Sequence, residues 1–190
     1  MTRFSDGGFG VVGAGGRGST FAGGTKAEVD LQMGTLSKAV GGYGGYLCAS
    51  KPVIDLMKTR CRTLVYSTGL PPATVAAAIA ALNIIESDPE YASRPLKKAQ
   101  RFTQRLGLPL AESPIVPILL GDAARTMAAQ KRLEDAGYLV VGIRPPTVPE
   151  GTARLRLTFT AEHTDADIDK LADLIAEKVL TGEEPFRASS

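Results

Sequence analysis

The sequence has no tryptophan, a single histidine and only two cysteines. Cys48 and Cys61 stand outside any Cys-x-x-Cys or zinc-type spacing, and His163 cannot complete a metal cluster with them. A structural metal is excluded, and a reduced, cytosolic setting is expected. Charge of neither sign dominates: a formal net charge of +2 gives no reason to expect nucleic acid or an anionic membrane as partner. Long hydrophobic runs are missing too. The most apolar stretch, around residues 73–85, is alanine-rich and too short to span a bilayer, and the opening MTRFSDGGFG has no signal-peptide core. What the chain has instead is glycine, much of it gathered around one lysine.

A chain of 190 residues suits one domain, or one domain with part of another. Residues 1–25 are glycine-rich and read as loops around a short strand. Strands are expected over 29–36 and 45–50, with a lysine-bearing loop between them. Pro52 then suits the first turn of a helix, with Ser50 or Lys51 at its cap and Val53, Leu56 and Met57 on one face. The extended TLVYSTGLPP leads into PPATVAAAIAALNIIESD, expected as a buried helix, and another helix is expected over 90–106. Beyond Gly107-Leu108-Pro109 the pattern changes to β, α, β, β, α. The expected division is therefore 1–106 and 107–190, both of α/β character. In the second part Asp122 caps a helix that Gly137 ends, and a last helix starts at Thr164 with Ile168, Leu171, Ile175 and Val179 at core spacing. The strand ARLRLTFT alternates, with Leu155, Leu157 and Phe159 on one face and Arg154, Arg156 and Thr158 on the other.

Four motifs bear on chemistry. GAGGRG, residues 13–18, fits the dinucleotide pattern, but STFAGGTKAE after it is poor helix material, so a structural glycine loop is the better reading. In GTLSKAVGGYGG, Lys38 follows two hydroxyls, Thr35 and Ser37, and precedes backbone with little side chain. A lysine that forms an imine must be partly desolvated so that its amine is free near neutral pH. If the carbonyl belongs to pyridoxal phosphate, the site also needs hydroxyls and bare backbone N–H groups for the phosphate. Thr35, Ser37 and Lys38 read as such a phosphate-plus-aldehyde site. In VYSTGLPP, Ser67 and Thr68 are local turn caps or further phosphate donors. In IRPPTVPEGTARLRLTFT the prolines stiffen the approach to a strand on which Arg154 and Arg156 are either solvated or set to grip a carboxylate. His163 is read as a loop residue near a helix cap, without chemistry.

Together, GTLSKAVGGYGG, YSTGLPP and IRPPTVPEGTARLRLT resemble, in order and spacing, the C-terminal half of the α-oxoamine synthases, which are fold-type I pyridoxal phosphate enzymes. The resemblance runs from about Gly8 to about Leu180. It implies part of a large cofactor-binding domain followed by a small C-terminal α/β domain, and a cytosolic homodimer with sites built across the two subunits. Lys38 would bond the cofactor and act as base, Thr35 would bind its phosphate, and Ser67 or Thr68 would reach the phosphate in the neighbouring subunit. Arg156 would hold the amino acid carboxylate, and Thr147 would line the substrate pocket. The implied reaction condenses L-alanine with a pimeloyl thioester of coenzyme A or a carrier protein, with loss of carbon dioxide. The chain also departs from the pattern: Phe4 and Gly7 stand where the family has an aspartate and a histidine. With the upstream half lacking, exposed sheet edge and apolar surface are expected. The reading from another class is a noncatalytic interaction module.

Overall fold

The structure is a computed structural model that describes residues 4–6, 18 and 28–181. Gly7 and most of the 13–18 glycine motif lie outside the described residues, as does the tail beyond Thr181. The chain divides into two compact units, Met1–Ser93 and Arg94–Ser190.

In the first unit, β1 (Phe4–Asp6) runs parallel to β2 (Leu31–Thr35), which pairs antiparallel with β3 (Gly45–Ala49). The sheet order is β1-β2-β3, and the lysine loop joins β2 to β3. Three helices follow: α1 (Lys51–Arg60), α2 (Arg62–Val65) and α3 (Pro72–Ser87). Ser50 is the N-cap residue of α1, and Pro52 sits in its first turn, where a missing N–H costs no helical bond.

The expectation of a buried α3 is overturned. Of its sixteen residues only Ala78 is buried, and Ile79 and Ile84 are 53% and 51% exposed. Small apolar side chains on every face of a helix imply a covering layer on every face, and no described element packs closely on it. Among the described residues, Val40 and Ala78 are the only buried apolar side chains of this unit.

The core lies in the second unit. The helix α4 (Pro89–Arg105) crosses the division between the units, and its later turns bury Ala99 and Phe102 in the second core. The helix expected to close the first part thus supplies packing to the second. It is followed by β4 (Ile115–Gly121), α5 (Ala123–Asp135), β5 (Val141–Ile143), β6 (Ala153–Thr158) and α6 (Asp165–Lys178). The sheet order is β4-β6-β5, antiparallel throughout. Alternation along β4 and β6 sends Val116, Ile118, Leu120, Leu155 and Leu157 into the core, where Leu133 of α5 and Ile168 and Ile175 of α6 join them.

Local chemistry sets the helix limits. Asp122 accepts a 2.7 Å hydrogen bond from the Arg125 N–H at the start of α5, and Gly137, at φ +88°, follows its end. Thr164 caps α6 by accepting from the Asp167 N–H at 3.2 Å. On the facing sides of α4 and α6, Lys98 pairs with Asp165, Arg101 with Asp165 and Asp169, and Arg105 with Asp173. Arg101 grips Asp169 with two bonds of 2.7 and 2.6 Å, and Arg105 grips Asp173 with two of 2.7 and 2.8 Å. On the buried side of α4, Gln100 donates to the Ala111 carbonyl at 3.2 Å, while Thr103 accepts from the Ala111 N–H at 3.3 Å.

Candidate functional site

The β2–β3 connection is a folded loop. The Leu36 N–H donates to the Gly44 carbonyl at 2.9 Å, the Gly42 N–H to the Leu36 carbonyl at 2.7 Å, and the Gly41 N–H to the Lys38 carbonyl at 2.9 Å. Gly41 and Gly44 have φ of +66° and +100°, which an L side chain rarely adopts. Gly34 is needed for another reason: a Cβ there would fall 2.6 Å from Cε1 of Tyr46, its cross-strand partner. Most of this glycine therefore answers to the chain's own turn and to a neighbouring ring. The N–H groups of Gly41 and Gly42 are engaged within the loop, so those two are not the bare phosphate donors expected from sequence.

The hydroxyls stand differently. Thr35 Oγ1 and Ser37 Oγ lie 2.7 Å apart and share a hydrogen bond on the exposed side of the loop, and Thr35 Oγ1 also accepts from the Ser37 N–H at 3.2 Å. Lys38 is exposed, and its amine has no hydrogen-bond or ion-pair partner among the described residues. The desolvation expected for an imine-forming lysine is therefore not provided by the described chain.

The second motif reaches the same loop. Were Gly44 to carry a Cβ, it would lie 2.9 Å from Cδ2 and 3.0 Å from Cδ1 of Leu70, in the segment after Ser67 and Thr68. Ser67 Oγ donates to the Leu64 carbonyl at 3.2 Å, which is the turn-capping role. Thr68 is exposed, with no hydrogen bond among the described residues. Lys38, Thr35, Ser67 and Thr68 thus belong to the first unit. Leu70 was not singled out in the sequence; Gly-Leu-Pro-Pro reads as a turn, and nothing in it signals a contact with the lysine loop.

In the second unit Arg156 occupies the middle strand, opposite Pro117 on one side and Val141 on the other. It is exposed and has no partner among the described residues, whereas Arg154 is half-buried and donates to the Thr152 carbonyl at 2.9 Å. The two arginines share the sheet's outer face, as the alternation required. Thr147 is exposed in the β5–β6 connection, where its N–H donates to the Arg144 carbonyl at 3.1 Å. His163 Nδ1 accepts from the Thr160 N–H at 3.1 Å, a local turn contact. Among the described residues no cluster could hold a metal ion, and no helix is long and apolar enough to cross a membrane.

The chain belongs to the aminotransferase class I and II family, whose model matches residues 4–175. Within it, the chain is 68% identical over 173 residues to the putative 8-amino-7-oxononanoate synthase of Parvibaculum lavamentivorans, covering 91% of this chain and 44% of that protein. It is 63% identical over 169 residues to the 8-amino-7-oxononanoate synthase of Beijerinckia indica, covering 89% of this chain and 44% of that one. The chain thus spans less than half the length of either relative. Among solved structures it superposes on the Sphingomonas wittichii serine palmitoyltransferase with a TM-score of 0.83 at 31% identity, covering 92% of this chain and 46% of that one. On the 8-amino-7-oxononanoate synthase from Francisella tularensis the TM-score is 0.78 at 25% identity, with 93% and 54% covered. These relatives agree with the α-oxoamine synthase resemblance carried by the three motifs, and the fold is part of the one those transferases share.

Proposed function

We propose that the chain is the C-terminal half of a pyridoxal phosphate-dependent acyltransferase that condenses L-alanine with a pimeloyl thioester to form 8-amino-7-oxononanoate, releasing carbon dioxide and the free thiol, a step of biotin synthesis in the cytosol. The observation that carries this reading is the unengaged amine of Lys38 on a loop whose neighbouring residues, Thr35 and Ser37, present a shared pair of exposed hydroxyls. The donor set fits the cofactor at two ends. An amine meets an aldehyde, and the hydroxyls of Thr35 and of Ser67 or Thr68 meet a phosphate. Groups for the ring are another matter, because Phe4 stands where the family has the aspartate that pairs with the ring nitrogen.

When bound, pyridoxal phosphate supplies an electron sink for charge developing at the α-carbon of the amino acid. Lys38 would hold the aldehyde end until the amino acid's own amine takes its place, and the Nζ released by that exchange would take the α-proton and later return one. Arg156 holds the alanine carboxylate through its fixed fork of donors, which orients the α-carbon. Thr147 lines the approach of the substrate. A homodimer places Ser67 or Thr68 at the phosphate in the neighbouring subunit. Because Lys38 is exposed, the reading also requires a covering surface that removes water from its amine.

The test combines this chain with the N-terminal half of the Parvibaculum relative and assays L-alanine with pimeloyl-coenzyme A. Product formation that Lys38→Ala abolishes supports the reading. A combined preparation that binds the cofactor and turns over no alanine argues against it.

A second reading is favoured by the exposed α3: an interaction module that pairs with a longer relative or with that missing half. Its mark is a complex that forms equally well with Lys38→Ala, in a mixture without synthase activity.

A further inference from the structure

Lysine has four side-chain torsions, and an amine on an exposed loop samples a wide volume unless the backbone beneath it is held. A displacement of about 1 Å from a productive geometry can cost about 100-fold in rate. What holds this loop is therefore a question about its chemistry.

The return leg of the loop converges on Gly44. Its carbonyl accepts the Leu36 N–H at 2.9 Å and the Thr35 hydroxyl at 3.4 Å, so it ties the two residues that lead into Ser37 and Lys38. Its φ of +100° and the closeness of Leu70 leave no room for a side chain. Leu70 itself is half-buried and is followed by Pro71 and Pro72, the N-cap residue and first residue of α3. Proline fixes φ near −65°, so the isobutyl group is delivered from a stiff base at the head of a helix.

We infer that Leu70 is a positioning residue for Lys38: its isobutyl group, seated against the bare Cα of Gly44, holds the return leg of the loop that carries the amine. The inference rests on the role proposed above for Lys38. It joins two motifs that the sequence presents as separate phosphate sites and gives the residue after Ser-Thr-Gly a task of its own. Leu70 touches neither substrate nor cofactor in this account; it acts through Gly44.

The test compares the native chain with Leu70→Ala and with Leu70→Met, which keeps the volume. Amide hydrogen exchange reads the loop, with amides of the second unit's core as the internal control for folding. Pyridoxal phosphate at limiting concentration, trapped with borohydride and mapped by peptide mass, reads the amine. In Leu70→Ala the Leu36 and Gly42 amides are expected to exchange about tenfold faster, since local opening sets their protection. The share of adduct at Lys38 falls several-fold, and Leu70→Met restores both readouts. Unchanged loop exchange and unchanged Lys38 trapping in Leu70→Ala overturn the inference. Faster loop exchange in a series where even the native chain shows no preference for Lys38 supports the hold of Leu70 on the loop and counts against the cofactor reading instead.

Discussion

The ring of Tyr46 lies across Gly34, its partner in the β2–β3 ladder, so closely that a methyl group on Gly34 would fall 2.6 Å from the ring's Cε1 and Cζ atoms. Gly34→Ala forces the ring or the strand to move. We expect a loss of about 1–3 kcal/mol, the usual cost of overpacking. Adding Tyr46→Ala should recover part of it, because residues in contact are not additive. Urea unfolding of the four chains in that cycle measures the coupling, and purely additive effects would refute the contact.

Phe102 is fully buried in the second unit, with its ring centroid 5.1 Å from that of Phe159 at a tilt of 44°. Phe102→Ala leaves a cavity at the centre of that core. The expected cost is about 3–5 kcal/mol, seen as an early thermal transition of the second unit. Phe102→Leu should fall between the two.

Three of the four aspartates of α6 give the second unit an acid limit. Hydrogen bonds from Lys98, Arg101 and Arg105 hold the carboxyls of Asp165, Asp169 and Asp173 respectively below the usual range. A carboxyl whose folded pKa is depressed contributes stability that is present above its unfolded pKa, about 3.9, and lost as pH falls through the folded value. The urea midpoint should therefore stay level from neutral pH to about pH 5 and decline below about pH 4. Asp169→Asn should lower the neutral plateau and flatten that decline. Salt at about 1 M, where the screening length is about 3 Å, should weaken the plateau more in the native chain than in the variant.

Pro95 sits inside α4 and cannot donate the bond that an ordinary residue would send to the carbonyl of Tyr91. Pro95→Ala restores that donor and relieves the clash of the ring with the preceding turn. A gain of up to about 2 kcal/mol is expected, net of the freedom regained by the unfolded chain. A lowered thermal midpoint would mean that the native helix is shaped around the proline.

Much of the second unit was legible before its structure, because its signals are local. The Asp122 and Thr164 caps, the Gly137 stop, the β6 alternation and the core spacing of Ile168, Leu171 and Ile175 in α6 each follow from chemistry within a few residues of chain. α3 was legible as a helix and misread as buried, since periodicity reports which residues prefer to be covered and not whether cover exists. Lys38, Thr35 and Thr68 could be singled out as candidates from the sequence, while the way the loop spends its glycines could not. The engaged N–H groups of Gly41 and Gly42, the ring over Gly34 and the seat of Leu70 on Gly44 depend on contacts between separate segments. The α4–α6 ion pairs were missed for the same reason, although Arg101 and Arg105 on one helix and Asp165, Asp169 and Asp173 on the other each repeat at intervals of four.

That repeat has a consequence for how the two helices find each other. The three cations Lys98, Arg101 and Arg105 all meet the three anions Asp165, Asp169 and Asp173 in one alignment. A slip by one residue swings each carboxylate about 100° around its helix, and a slip by a full turn of about 5.4 Å leaves one charge overhanging at each end. Oily contacts beneath would tolerate several neighbouring alignments; the charged edge makes the pair count.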